Sequence, residues 1–185
     1  MDTGITLILG GARSGKSTFA EQLARNSGTA VTYLATADVC DKEMEERVRM
    51  HRERRPKEWN TWEGSPEELP EAVAKMEGTL ILDCLTMWLT RLIFATNAAE
   101  NGTEEEWQAR EQEIRQLTEA LCSSAGKNTH LIIVSNEVGF GIVPENRLAR
   151  RFRDMQGRIN QLVASRAKNA ALIVAGYPLW VKTGK

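Results

Sequence analysis

Short apolar, β-branched runs alternate along the chain with segments whose apolar residues recur at helical spacing. The runs at 5–9, 31–35, 79–83, 131–135 and 171–175 are predicted strands. Residues 16–25 and 41–55 are predicted helices. The second stops before Pro56, which disfavours helical backbone in the residue ahead of it. Ser65-Pro66-Glu67-Glu68 has the form of a capping box with proline at the first helical position. The helix it opens carries Leu69, Val73 and Met76 on one stripe. Trp107, Ile114, Leu117 and Leu121 make a second stripe, and Leu148, Phe152, Met155, Ile159 and Leu162 a third. Such alternation predicts an α/β fold, a mostly parallel sheet with helices on both faces. Ligands of such sheets bind at the carboxyl ends of the strands.

Composition narrows the picture without redirecting it. A chain of 185 residues suits a single domain, here taken as 1–185. Lys plus Arg number 24 against 25 Asp plus Glu, and a net charge of −1 argues against a nucleic-acid partner. Cys40, Cys84 and Cys122 lie far apart, form no CxxC pair and are expected to be reduced thiols in a cytoplasmic protein. The start of the sequence does not have the form of a signal peptide, and no stretch approaches the roughly 20 apolar residues of a membrane span.

The strongest chemical signal follows the first strand. Gly10, Gly11, Ala12, Arg13, Ser14, Gly15, Lys16 and Ser17 fit G-x-x-x-x-G-K-S without mismatch, between a predicted strand and a predicted helix. Glycines let the backbone N–H groups turn inward onto phosphate oxygens, and the helix N-terminus adds partial positive charge. Lys16 is expected at the β- and γ-phosphates, and Ser17 at a Mg²⁺ ion. The run Leu80-Ile81-Leu82-Asp83 ends an apolar strand in a carboxylate placed to hold the same ion; capping of the strand end is the alternative. His51 shares a helical face with Met44 and Val48, among Arg47, Arg52, Arg54 and Arg55. Two roles stay open for it: a core histidine, or an imidazole beside phosphates held by arginines. Those arginines also suit a solvated face with Glu45, Glu46 and Glu53. For His130, entering a predicted strand, a packing or surface role is expected.

Several of these segments together resemble a known family. The GGARSGKS cradle combines with Tyr33-Leu34-Ala35-Thr36-Ala37, with Met44, His51, Arg55 and Pro56, and with Asp83-Cys84-Leu85-Thr86. The stretch from Ser135 through Asn136, Glu137 and Val138 to Pro144, Glu145, Asn146 and Arg147 is the most distinctive. The set is similar to the bifunctional adenosylcobinamide kinases/adenosylcobinamide-phosphate guanylyltransferases of cobalamin biosynthesis, over nearly the whole chain. The resemblance implies a RecA-like P-loop NTPase fold and a homotrimer. It implies two reactions: phosphorylation of adenosylcobinamide by ATP or GTP, then transfer of GMP from GTP to that phosphate through a guanylylated histidine. His51 matches the histidine nucleophile. Nucleotide contacts map to Gly10–Ser17, to Ala35, Thr36 and Ala37, to His51, Arg52, Glu53 and Arg54, and to Glu63 and Asp83. The chain departs from the family pattern at Gly176-Tyr177-Pro178-Leu179-Trp180, which puts the geometry of the last strand in question. Asp83 stands where some relatives carry Glu, with the charge kept.

This chemistry suits the residue types. An unprotonated imidazole nitrogen is nucleophilic near neutral pH and needs no separate base. Asn136 and Glu137, after the fourth predicted strand, are candidate positioning groups, with strand capping as the alternative. Residues 85–94, with Trp88, Leu89, Leu92, Ile93 and Phe94, are apolar on most faces, so this helix is expected in a subunit contact or as a wall for the corrinoid. Two competing functions remain at this level: a P-loop small-molecule kinase without a covalent intermediate, and a RecA-like nucleic-acid-binding ATPase module.

Overall fold

Two apolar layers, one on each face of a single sheet, organise the chain. The computed structural model describes residues 3–37, 42–99 and 102–184. Its strands are β1 (Gly4–Gly10), β2 (Val31–Ala35), β3 (Asn60–Trp62), β4 (Gly78–Asp83), β5 (Thr129–Asn136), β6 (Asn169–Val174) and β7 (Tyr177–Lys182). Its helices are α1 (Lys16–Arg25), α2 (Lys42–Arg54), α3 (Leu69–Ala74), α4 (Leu85–Phe94), α5 (Glu104–Ser124) and α6 (Arg147–Arg166). The strands form one sheet in the order β3-β2-β4-β5-β1-β6-β7, parallel except for β7. The chain thus has the mostly parallel, helix-covered sheet that its hydrophobic pattern predicts.

Because successive strand side chains point to opposite faces, each central strand feeds both layers. Leu7, Leu80, Leu82, Leu131 and Ile133 pack on one side with α3, α4, α5 and α6 residues such as Val73, Leu92, Ile114 and Met155. Ile8, Ile81, Ile132 and Val134 pack on the other with Ala20 and Ala24 of α1. This is why the central strands read as continuous apolar runs rather than alternating ones. His130 fills a structural role within the sheet, its Nε2 lying 2.9 Å from the Thr6 hydroxyl.

Residues 85–94 correct an expectation. In α4, Leu85, Trp88, Leu89, Leu92 and Ile93 are fully buried within the chain's own core. The Trp88 indole N–H donates to the Pro66 carbonyl at 2.7 Å. The all-round apolar character comes from position: sheet on one side, α5 and the Pro66–Glu68 turn on the other. These five side chains are therefore not available to a subunit contact; Phe94, at the end of the helix, is exposed. Only Met87 and Arg91 look into the cavity described below.

Two strands escape the sequence pattern. β3 is three residues long, too short for periodicity to register. β7 begins within the Gly176-Tyr177-Pro178-Leu179-Trp180 stretch whose geometry the sequence left in question. Ala175 (φ 50°) and Gly176 (φ 87°) make a two-residue turn that folds Tyr177–Lys182 back, antiparallel, onto β6. Positive φ at both central residues matches the twist of tight hairpins. The turn also supports the site: Gly176 N–H donates to the Ser14 carbonyl at 2.8 Å. The capping box at Ser65 forms as expected, but its first turn is a 3-10 turn leading into α3.

Candidate active site

The carboxyl ends of β1, β2, β4 and β5 converge on one cavity of about 800 Å³. Residues 10–17 wrap from β1 into α1. Gly10 (φ 159°) has no room for a side chain: a Cβ there would meet Ser14 Oγ at 2.5 Å and the Ile173 carbonyl at 2.8 Å. Gly15 (φ 98°) lies in the left-handed region that glycine tolerates, and a Cβ there would sit 3.1 Å from Gly176. Strand β1, the β6–β7 turn and the start of α1 thus hold the loop in its cradle shape. Ala12, Arg13, Ser14, Gly15, Lys16 and Ser17 line the cavity. The Ser14 hydroxyl is buried without a hydrogen-bond partner among the described residues. Lys16 is buried, and its ammonium donates to the Gly11 carbonyl at 2.6 Å. Burial pushes its pKa below the usual lysine value, opposed by the negative charge of Asp83. A polyphosphate would supply an acceptor for Ser14 and further negative charge for Lys16.

Asp83 closes β4 and faces this cavity, joined to Cys84 by a cis peptide bond. Its carboxylate accepts a hydrogen bond from the Tyr33 hydroxyl at 2.9 Å. Burial holds that phenol protonated far above its ordinary range, with the Asp83 charge acting in the same direction. Burial likewise pushes the Cys84 thiol up to about 12, so it is no thiolate near neutral pH. Ser17 and Asp83 are hard oxygen donors lining one space, and no group of three or more His, Cys, Asp or Glu gathers among the described residues. That pairing fits Mg²⁺, which is commonly held by one or two protein oxygens, substrate phosphates and water.

The remaining candidates fall on three levels. Ala35, Ala37, Arg52 and Glu63 line the cavity. Thr36 is buried behind it, and its hydroxyl donates to the Cys84 carbonyl at 2.8 Å. Arg52 and Glu63 form an ion pair across the cavity rim. Glu53 points elsewhere and pairs with Arg49, which also holds Glu46, so part of α2 is the solvated charged face that its pattern allows. His51 and Arg54 lie on α2; their side chains are outside the described residues, as are those of Met44 and Arg47.

On β5, Asn136 lines the cavity, whereas the Glu137 carboxylate turns back to accept from Gly139 N–H at 2.7 Å. Of the two candidate positioning groups, Glu137 caps its own loop. Asn136 is fixed from behind. Its N–H donates to the Thr86 hydroxyl at 2.9 Å, and its carbonyl accepts from Asn160 Nδ2 at 3.1 Å. Tyr33, not a sequence-level site candidate, joins the site together with Arg55, one of the arginines flanking His51. Tyr33 and Arg55 both line the cavity, with the Arg55 guanidinium carbon 3.5 Å from the Tyr33 ring centroid. The sequence signal for Tyr33 was present but unspecific: an aromatic on an apolar strand reads as core.

Residues 6–181 match the family model described as cobinamide kinase / cobinamide phosphate guanyltransferase. This chain belongs to that family. A curated member from Pseudomonas aeruginosa, the bifunctional adenosylcobalamin biosynthesis protein CobP, is 42% identical over 179 residues, covering 95% of this chain and 96% of its own. The Escherichia coli protein CobU, of the same description, is 39% identical over 180 residues, 95% of this chain and 98% of its own. Among solved structures the likeness is one of fold alone. The RadB recombinase superposes with a TM-score of 0.50 at 17% identity, over 91% of this chain and 73% of its own. The flagellar accessory protein FlaH from Methanocaldococcus jannaschii gives 0.50 at 12%, over 98% and 79%. A type III secretion ATPase gives 0.56 at 13%, over 91% and 50%. This chain thus shares its fold with these P-loop ATPases, and it is an enzyme of the cobinamide kinase/guanylyltransferase type.

Proposed function

We propose that the chain works as one catalytic domain that uses this single cavity for two successive transfers to a cobinamide acceptor. The observation that carries the reading is the convergence of a phosphate cradle, Asp83 and the Arg52–Glu63 rim on one space at the strand ends, in a chain that matches the family from residue 6 to 181. In the first transfer, Gly10–Ser17 and Lys16 hold the phosphates of ATP or GTP. The acceptor hydroxyl of adenosylcobinamide bonds to the γ-phosphorus, the bond to the β,γ-bridging oxygen breaks, and the hydroxyl proton is released. In the second, His51 bonds to the α-phosphorus of GTP and pyrophosphate departs with the bridging oxygen. A phosphate oxygen of adenosylcobinamide phosphate then displaces the imidazole, giving adenosyl-GDP-cobinamide. Ser17 and Asp83 would hold Mg²⁺, which neutralises charge on the phosphate oxygens when bound. Arg52, Arg54 and Glu63, with Ala35 and Ala37, complete the proposed nucleotide contacts, while Glu53 pairs with Arg49 and Thr36 holds the Cys84 carbonyl beside them. A homotrimeric, cytoplasmic enzyme fits the resemblance, and no described helix is long and apolar enough to cross a membrane.

The test is incubation with α-labelled GTP. The wild-type chain is expected to become labelled through an acid-labile, base-stable bond, as a phosphorus–nitrogen linkage is. His51→Ala should take no label and make no GDP-cobinamide while still phosphorylating cobinamide. Labelling of the alanine variant sinks the nucleophile assignment. Equal loss of both activities in a folded variant makes His51 a shared binding residue instead.

A further inference from the structure

Tyr33 stands between two charged groups of the cavity, Asp83 and Arg55, that come from different parts of the chain. It is the third residue of β2, buried among Ile81, Val134 and Ile8 on the α1 face of the sheet. Its hydroxyl reaches the end of the neighbouring strand and donates to Asp83 Oδ2 at 2.9 Å. Over its ring lies the Arg55 guanidinium, its carbon 3.5 Å from the centroid. Arg55 directly follows α2, the helix that carries His51. Its Nε is buried and makes no hydrogen bond among the described residues. A guanidinium centred this close to a ring is held by the ring's π-face, which leaves its N–H donors to bond elsewhere. Arg55 also borders both the main cavity and a neighbouring one of about 590 Å³, lined further by Arg52 and Glu63. A half-buried cation whose Nε is buried without a hydrogen-bond partner is suited to an anion.

We propose that Tyr33 is a positioning residue for both halves of the nucleotide site. Its hydroxyl fixes the carboxylate that would hold the metal, and its ring face fixes an Arg55 guanidinium that takes a phosphate oxygen of the nucleotide. The inference rests on the nucleotide-site reading above. It adds that one aromatic side chain ties the position of Asp83 to that of the segment following α2. A tyrosine present only for packing gives a different result, because its two polar contacts would then be incidental.

Equilibrium binding of GTP to the full chain, by titration calorimetry in EDTA and again in excess MgCl₂, separates the two contacts. Tyr33→Phe keeps the ring and removes the hydroxyl. It should leave the metal-free Kd within about twofold of wild type and shrink the tightening produced by Mg²⁺ roughly tenfold, as for the loss of a hydrogen bond to a charged group. Tyr33→Leu removes the ring as well and should also weaken metal-free binding, by roughly three- to tenfold. Arg55→Met should reproduce that metal-free loss with Tyr33 intact, and it decides the ring half if Tyr33→Leu does not fold. An undiminished Mg²⁺ effect in Tyr33→Phe overturns the hydroxyl half, and wild-type metal-free affinity in Arg55→Met overturns the ring half. A wild-type chain that binds no GTP overturns the nucleotide-site reading itself, and this inference with it.

Discussion

Lys16 illustrates how a candidate phosphate-binding residue is held at a cost to the fold. Its ammonium is buried in the free cradle, with the Gly11 carbonyl as hydrogen-bond acceptor, and burial lowers its pKa. A group whose folded pKa is depressed contributes stability only above its unfolded pKa, and the contribution is lost as pH falls through the folded value. For Lys16 that upper limit is the ordinary 10.5. Lys16→Met is therefore expected to be more stable than wild type at neutral pH in the absence of nucleotide. The advantage should fade as pH approaches 10.5, in urea titrations followed by circular dichroism. The same variant should lose kinase activity by on the order of 10²–10³, the cost of removing one preorganised charge from a transition state. A variant with wild-type stability across the range contradicts the burial cost, and near wild-type phosphorylation of cobinamide contradicts the cradle role.

At the scale of elements, α4 shows how the same apolar pattern serves a different purpose from the one expected. Trp88 is buried and its N–H is satisfied by the Pro66 carbonyl, so it anchors α4 to the turn that opens α3. Trp88→Ala should destabilise the fold by about 3–5 kcal/mol, the range for truncating a buried aromatic. Chemical denaturation measures it, and sedimentation of the folded fraction should show no change in assembly. A loss of assembly at unchanged stability would return α4 to an interface. α6 acts as a buttress for β5: Gln156 Nε2 donates to the Ser135 hydroxyl at 3.0 Å, and Asn160 accepts from that hydroxyl at 2.6 Å. This buried amide cluster fixes the strand end that carries Asn136 toward the cavity.

Over the whole molecule, the sheet is asymmetric in what it leaves exposed. Its β7 edge carries Tyr177, Leu179 and Val181 at alternate positions, and all three are exposed. An apolar edge strand with a free row of backbone groups is a surface for pairing with another chain. With α4 accounted for inside the core, the oligomer implied by the family resemblance is expected to draw on this edge. Sedimentation velocity at micromolar concentration should give an oligomer, and Leu179→Lys with Val181→Lys should shift it toward monomer with little change in thermal midpoint. A wild-type monomer removes the expectation, and an unchanged oligomer in the double variant moves the contact to another surface.

Read from sequence alone, the chain already discloses its sheet, its phosphate cradle and its family. These depend on local regularities: β-branched runs, helical stripes, and glycines at the positions where the loop closes on Ser14 and Gly176. Asp83 is legible for the same reason, since it ends an apolar run. Tertiary structure alone decided the rest. Whether α4 faces a partner or the chain's own core depends on what packs around it, which periodicity does not encode. β7 exists because the turn at Ala175 and Gly176 returns a Pro-containing segment to the edge of β6. Glu137 is a cap and Asn136 a lining group, although they are adjacent in sequence, because successive residues at a strand end diverge. Tyr33 joins Asp83, fifty residues away, to Arg55 only because β2 and β4 are neighbours in the sheet. Contacts of that kind are set by strand order, a property of the folded chain as a whole.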